Sequence, residues 1–198
     1  PQDVQGQRAY GEEGVERLAS VQARKLTTIR KSHAATLETA RAKMITSGDI
    51  YAPNGTVVGN VYTDFGVTRK QVAMDLTNAA TDILGKQREI VDHIQDNIMS
   101  GETPSEIIAL CSPSYFDAYI SQAGVKEAYK FYTSTQEPLR NGNWSQFRHG
   151  DITLIRYNGK FKDASGVSQA LIPDGDAYYL PLDTSDTFKT YFSPANKF

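Results

Sequence analysis

Chemistry in this chain would have to start from Cys111, its lone cysteine. Cys111 closes the apolar run Ile107-Ile108-Ala109-Leu110, and Ser112-Pro113 follows it. A thiol at a strand end, just ahead of a helix start, sits where free N–H groups and the helix dipole favour a thiolate. The matching reaction is thiol-dependent hydrolysis, with Cys111 as nucleophile and a histidine as base. The histidines are His33, His93 and His149. His93 and His149 are the two that this reading would use.

Each of these residues also has a plainer reading. Free cysteine is among the most buried residue types. His33 falls on the apolar stripe of a long helix, His93 precedes Ile94 on an amphipathic helix, and His149 precedes a glycine in a polar loop. A structural Cys111, buried at the C-terminal end of a central strand, is therefore the favoured expectation.

Other chemistry finds less to stand on. There is no CxxC spacing, no GxGxxG and no GxxxxGK[ST], so metal and nucleotide sites have no motif. The glycines Gly55, Gly59 and Gly85 lack the context of a phosphate cradle. Asp174 and Asp176 lie in a PDGD stretch, which is turn chemistry. Asp92 and Asp96 are an i,i+4 pair on a helix face, repelling and solvated. No catalytic, cofactor-binding or metal-ligating residue is assigned, and the chain reads as a non-enzyme without cofactor.

The elements that must carry these residues follow from periodicity and punctuation. From Glu12 to about Ile45 apolar residues recur on i+3/i+4 steps at Val15, Leu18, Leu26, Ile29, Leu37, Ala40 and Met44. This predicts one long helix ending near Ser47-Gly48, with a stripe narrow enough to lie across a sheet. Arg17, Arg24, Lys25, Arg30, Lys31, Arg41 and Lys43 decorate it without forming one face, which favours solvation or subunit contact over phosphate contact. Asn54-Gly55 predicts a long hairpin between Ile50-Tyr51 and Thr56–Tyr62. Asp64-Phe65-Gly66 turns the chain, and Val67 to Leu76 reads as a strand or connector.

A second helix is predicted over Asn78–Met99, with Ile83, Leu84, Ile90, Val91, Ile94 and Ile98 on its stripe and Gly101 closing it. Ile107–Cys111 reads as a strand buried on both faces. Ser112 as cap and Pro113 at the first helical position open a third helix carrying Tyr115, Phe116, Tyr119 and Ile120. A further helix follows Gly124, from Val125 to Tyr132. Residues 133–150, with Trp144, read as a polar loop. Strands follow at Ile152–Tyr157, Gln169–Pro173 and Ala177–Leu182, with turns at Asn158-Gly159 and Ala164-Ser165-Gly166. Grouped rather than alternating strands and helices favour an α+β fold.

The totals set the class. Of 198 residues, 39% are apolar and 22% charged, the balance of a globular chain. The net charge of −2 argues against a dedicated nucleic-acid binder. It is uneven: residues 1–48 hold eight Lys/Arg against five Asp/Glu, and residues 49–198 hold thirteen against eighteen. Such segments attract one another within a chain or between copies. No apolar run reaches the roughly 20 residues of a membrane span, and no stretch reads as a signal peptide. A chain that starts at Pro1 without a methionine reads as a fragment or a processed product. Extended elements without a core of their own point towards assembly.

Several stretches also carry a family resemblance. They are PQDVQGQRAYGEEG at the start, RAKMITSGDIYAPNGTVVGNVYTDFGV after it, IIALCSPSYFDAYISQAGVKEAY in the middle, and LIPDGDAYYLPL with TFKTYFSPAN near the end. In that order, over nearly the whole chain, they resemble the phage major capsid protein E family, the lambda-like shell proteins of tailed phages. The resemblance implies a Hong Kong 97-type capsid fold: a long spine helix, an extended hairpin and a mixed α+β axial domain. It implies a peripheral-domain part over 1–76, with the spine helix at about 12–45 and the hairpin at about 50–63. It implies an axial-domain core over 77–198 with the start of the return to the peripheral domain.

It further implies a structural subunit of an icosahedral head that self-assembles into hexamers and pentamers around packaged DNA. Its partners would be copies of itself, with scaffold, portal and decoration proteins and weak, non-specific DNA contact, and no membrane. Its place would be the virion, and the host bacterial cytoplasm during assembly. The family has an N-terminal arm and an extended loop before the segment matching Pro1, and further strands after the segment matching Phe198. A chain without either reads as a central fragment.

Overall fold

The computed structural model describes residues 18–52, 56–98, 102–132, 146–162, 167–185 and 187–188. Two compact units are present, Pro1–Val61 and Tyr62–Phe198. The Asn54-Gly55 turn, Gly101, Trp144, the Ala164-Ser165-Gly166 turn, the first 17 residues and most of the tail lie outside the described residues.

In the first unit, one helix runs Leu18–Thr46 (α1) for 29 residues, about 44 Å at ~1.5 Å per residue. No proline or glycine interrupts it. Thr27, Thr28, Thr36 and Thr39 each donate their hydroxyl to the carbonyl four residues back, which satisfies them within the helix. The helix ends where the sequence places its end. Gly48 adopts φ 77°, and its N–H donates to the carbonyls of Lys43 and Met44.

The hairpin exists but is short. Asp49–Tyr51 (β1) pairs antiparallel with Val57–Asn60 (β2). The predicted second strand, reaching Tyr62, stops at Asn60 because Val61–Asp64 winds into a single helical turn (α2). Its base is tied by the Asp49 carboxylate, which accepts from Ser47 Oγ at 2.6 Å and Asn60 Nδ2 at 2.9 Å.

In the second unit, Gly66 at φ 62° makes the predicted turn, and Val67 to Asp75 is a connector without strand. The next helix is Ile83–Asn97 (α3), starting five residues later than Asn78. Asp82 caps it, accepting from Gly85 N at 2.9 Å, while Asn78 serves a preceding turn through Ala80 N. Then come Glu106–Cys111 (β3), Pro113–Ser121 (α4) and Ala123–Tyr132 (α5). Gly124 lies inside the first turn of α5 and not before it, because the Gln122 side chain caps the helix by accepting from Val125 N.

Gln146–His149 (β4) falls in the stretch read as a polar loop. It is joined to Ile152–Arg156 (β5) through Gly150, at φ 61°, and Asp151. Lys160–Lys162 (β6) and Ser168–Ala170 (β7) form a small separate ladder. β7 stops short of the predicted Gln169–Pro173 span, and Leu171 and Ile172 are buried in the bend beyond it. Ala177–Leu182 (β8) is as predicted.

The main sheet has the order β4-β5-β3-β8. β3 runs parallel to β5 and antiparallel to β8, which makes the architecture α+β with a mixed sheet. The register Ile107↔Ile152, Ala109↔Leu154 and Phe147↔Leu154 puts these side chains on one face. That face packs against Ile83 and Ile90 of α3, Tyr115, Phe116 and Tyr119 of α4, and Val125 of α5. The prediction that β3 is buried on both faces needs correction. Ile108 and Leu110 on the other face are only half-buried, because all three helices lie on the first. Pro181 fits β8 because β8 is an edge strand among the described residues, where a missing N–H costs no ladder bond on the outer side.

Candidate functional site

Cys111 stands where the sequence puts it and lacks what a nucleophile needs. It is 0% exposed at the C-terminal end of the central strand, with Sγ 3.4 Å from the carbonyl of Ala109. Burial pushes its thiol up to about 12, partly offset by the backbone of Ile155. The helix α4 starts beyond it, but the cap geometry is taken by Ser112, not by Cys111. Ser112 Oγ accepts from Tyr115 N at 3.3 Å.

The histidines do not serve Cys111. His33 lies on exposed α1, away from any core. His93 is exposed on α3, 3.3 Å from Asn97 Nδ2. His149 is half-buried at the end of β4, with Nδ1 2.7 Å from Tyr119 Oη. The hydrolase reading therefore has no support in the geometry.

The carboxylate pairs are structural or solvated. In the Pro173-Asp174-Gly175-Asp176 turn, Asp174 accepts from Ser114 Oγ, and Gly175, at φ 83°, donates to Ser112 Oγ at 3.0 Å. Ser112 N donates to the carbonyl of Asp176 at 3.0 Å. The turn thus fastens the start of β8 to the start of α4. Asp92 and Asp96 are exposed on α3. Among the described residues no three His, Cys, Asp or Glu side chains stand together as a metal site would require.

The sequence reading missed the polar contacts inside the core. Gln87 of α3 is buried and donates to Tyr119 Oη at 2.6 Å. Tyr115 Oη meets Tyr179 Oη at 2.9 Å, tying α4 to β8. Burial raises the pKa of Tyr115, Tyr119 and Tyr179 alike, so these phenols stay protonated. One signal was legible: Gln87 falls four residues after Ile83 and three before Ile90, a polar residue on an apolar stripe.

The surface that stands out is on α1. Leu26, Ile29, Leu37 and Met44 share one stripe and are each 52–54% exposed. The sequence predicts a sheet against this stripe; among the described residues of its own unit the only strands are the short β1 and β2, and they leave it exposed. At 100° per residue, Lys25 and Lys43 fall along one border of this stripe and Arg30 and Arg41 along the other. The helix holds six Lys/Arg against one Glu. The stripe is thus an exposed apolar strip with basic borders.

The sequence profile of the family "Phage major capsid protein E" matches residues 1–198, from the first residue to the last. The chain belongs to the phage major capsid protein E family. A relative in Pseudomonas phage KPP10, named a major capsid protein, is 39% identical over 212 aligned residues covering 100% of this chain and 60% of its own. A second, the major capsid protein of Salmonella phage Felix O1, is 27% identical over 191 residues, covering 87% of this chain and 51% of its own. The chain thus spans roughly half to three-fifths of the length of these capsid proteins. Within this capsid protein E chain, Ser112, Gly175 and Asp176 form a structural joint beside the buried Cys111. No helix of its described residues is long and apolar enough to cross a membrane.

Proposed function

We propose that this chain belongs to a shell-forming subunit, the major capsid protein of a bacteriophage or prophage head. The observation that carries the reading is the family match along all 198 residues. The α1 surface supports it physically: a subunit that buries an exposed apolar stripe against copies of itself gains about 25 cal/mol per Å² of apolar area covered.

In this reading the fold is of the Hong Kong 97 type. α1 is its spine helix, residues 1–76 belong to a peripheral domain, and residues 77–198 form the axial-domain core. Copies associate into hexamers and pentamers around packaged DNA. The excess of base over acid in residues 1–48, against the acidic balance of 49–198, favours contacts between unlike segments of neighbouring copies. The protein performs no turnover. Scaffold, portal and decoration proteins are its further partners, DNA contact is weak and non-specific, and it is built in the host cytoplasm and resides in the virion.

Electron microscopy of the full-length parent, expressed alone and with its scaffold, tests the proposal. Shells, tubes or capsomer rings are expected. Their absence under every condition sinks it.

A further inference from the structure

Three side chains from three elements meet beside the outermost strand of the sheet. Gln87 of α3 donates from Nε2 to Tyr119 Oη at 2.6 Å and to the carbonyl of His149 at 3.3 Å. Tyr119 Oη of α4 lies 2.7 Å from Nδ1 of His149, on β4. The His149 ring stands edge-on to Tyr119, at 5.8 Å between centroids, and stacks on Phe147 at 6.2 Å. Gln87 is 4% exposed and Tyr119 0%.

Counting hydrogens fixes the direction of this chain. The carbonyl of His149 can only accept, so the Gln87 atom facing it is the amide nitrogen and not the oxygen. That nitrogen also donates to Tyr119, which must then place its own hydrogen elsewhere. Nδ1 of His149 is the acceptor in reach. Nδ1 is therefore bare, the ring proton sits on Nε2, and the imidazole is neutral. Adding a proton at Nδ1 turns that acceptor into a donor. The Tyr119 oxygen could accept it, but the Tyr119 hydrogen would be left buried without a partner, which is costly.

We propose that Gln87, Tyr119 and His149 form an acid-released latch, which fastens edge strand β4 to helices α3 and α4 while His149 is neutral and loosens it when His149 binds a proton. β4 is the strand such a latch can move. Among the described residues it is bonded to the sheet through β5 alone, over four residue pairs, Gln146↔Ile155 to His149↔Ile152.

Among the described residues no charged group holds the imidazolium in place. Tyr119 faces it from α4, Gln87 from α3 and Phe147 from β4 itself. The charged residues of the same elements are engaged or turned away. Lys86 donates to the carbonyl of Ala73, Asp117 faces Arg156 at 3.5 Å, Arg88 and Asp151 are exposed, and strand alternation puts Arg148 on the opposite face from His149. Burial accordingly lowers the His149 pKa from its ordinary value.

The sign follows. Above the ordinary histidine value of about 6.5, both latched and released His149 are neutral and the latch does not depend on pH. Below it, the released state takes the proton first. The latching equilibrium then falls by up to about tenfold per pH unit, until the lower latched value is passed.

The test is nuclear magnetic resonance of the intact chain from pH 7.5 to 5, reading the His149 ring signal and the exchange protection of the β4 amides. A His149 midpoint below ~6.5 is expected, with β4 protection falling about tenfold or more towards pH 5. His149→Gln keeps an acceptor for Tyr119 and cannot titrate, so its β4 protection should be flat over that range. Tyr119→Phe keeps the burial and removes the hydroxyl, so the His149 midpoint should rise. A wild-type midpoint at or above ~6.5 overturns the latch. So does β4 protection that falls equally in His149→Gln, or a midpoint that Tyr119→Phe leaves unmoved. If Tyr119→Phe does not fold, the first two readings decide.

Discussion

Ser112 Oγ accepts a hydrogen bond from the backbone N–H of Gly175 at 3.0 Å, across 63 positions of sequence. The same oxygen caps α4 through Tyr115 N, so one hydroxyl fixes a helix start to the turn that begins β8. Ser112→Ala removes the one oxygen that accepts both bonds, from a side chain that is 1% exposed. A lost cap costs about 0.5–2 kcal/mol, and an orphaned buried donor about 1–3. Ser114 also accepts from Gly175 N and softens the second term. A net loss of about 1–3 kcal/mol is expected in urea unfolding, with Ser114→Ala, at an exposed position, costing less. Equal stability of Ser112→Ala and wild type would refute this joint.

Cys111 should behave as a core residue. With its thiol pushed up to about 12, the thiolate fraction near pH 7 is about 10⁻⁵. Iodoacetamide should therefore label the native chain far more slowly than free cysteine, with a rate that rises as denaturant opens the fold. Cys111→Ser should lower stability by roughly 1–3 kcal/mol by adding a buried hydroxyl. Labelling of the native protein as fast as free cysteine would contradict the buried site.

Local signals were legible where the residue that carries them acts alone. Gly48 ends α1, Ser112-Pro113 opens α4, and the run to Cys111 makes β3, as their chemistry dictates. The errors share a different cause. β4 was hidden because Gln146, Phe147, Arg148 and His149 alternate over only four residues amid polar neighbours, and their strand is made by pairing with β5. The start of α3 was misplaced because Asn78 and Asp82 both look like caps, and Thr81 Oγ1 bonding back to Asp75 favours a turn at the first. The open face of β3 was misjudged because apolarity does not say on which side three later helices will lie. At the site, sequence weighed Cys111 well but missed Gln87, Tyr119 and His149 as a group, since no periodicity links positions 32 and 30 residues apart.

The hairpin base has its own pH signature. Hydrogen bonds from Ser47 and then Asn60 hold the Asp49 carboxyl below its usual value. Folding therefore gains from ionised Asp49 above the ordinary value of about 3.8, and the gain fades as pH falls through the lower folded value. Asp49→Asn should remove that part of the acid dependence and raise amide exchange in β1 and β2, while leaving β3 and β5 protected. A hairpin equally protected in Asp49→Asn would show that the carboxylate does not hold it.

The stripe on α1 separates folding from assembly. Leu26, Ile29, Leu37 and Met44 are half exposed, so replacing Ile29 and Leu37 by lysine should alter the stability of the single chain by only about 0.5 kcal/mol each. In an assembled shell the same side chains would be buried, where each is worth about 1.5–3 kcal/mol and a lysine adds the cost of an unpaired charge. Every copy bears the defect, so the loss multiplies around a capsomer. In the full-length parent, Ile29→Lys with Leu37→Lys should leave the circular dichroism of the subunit unchanged and shift its thermal melt by no more than about 4 °C. Sedimentation should show free subunits where wild type forms shells. Shells of normal yield would mean that the stripe faces solvent or DNA in the head, and that assembly uses other surfaces.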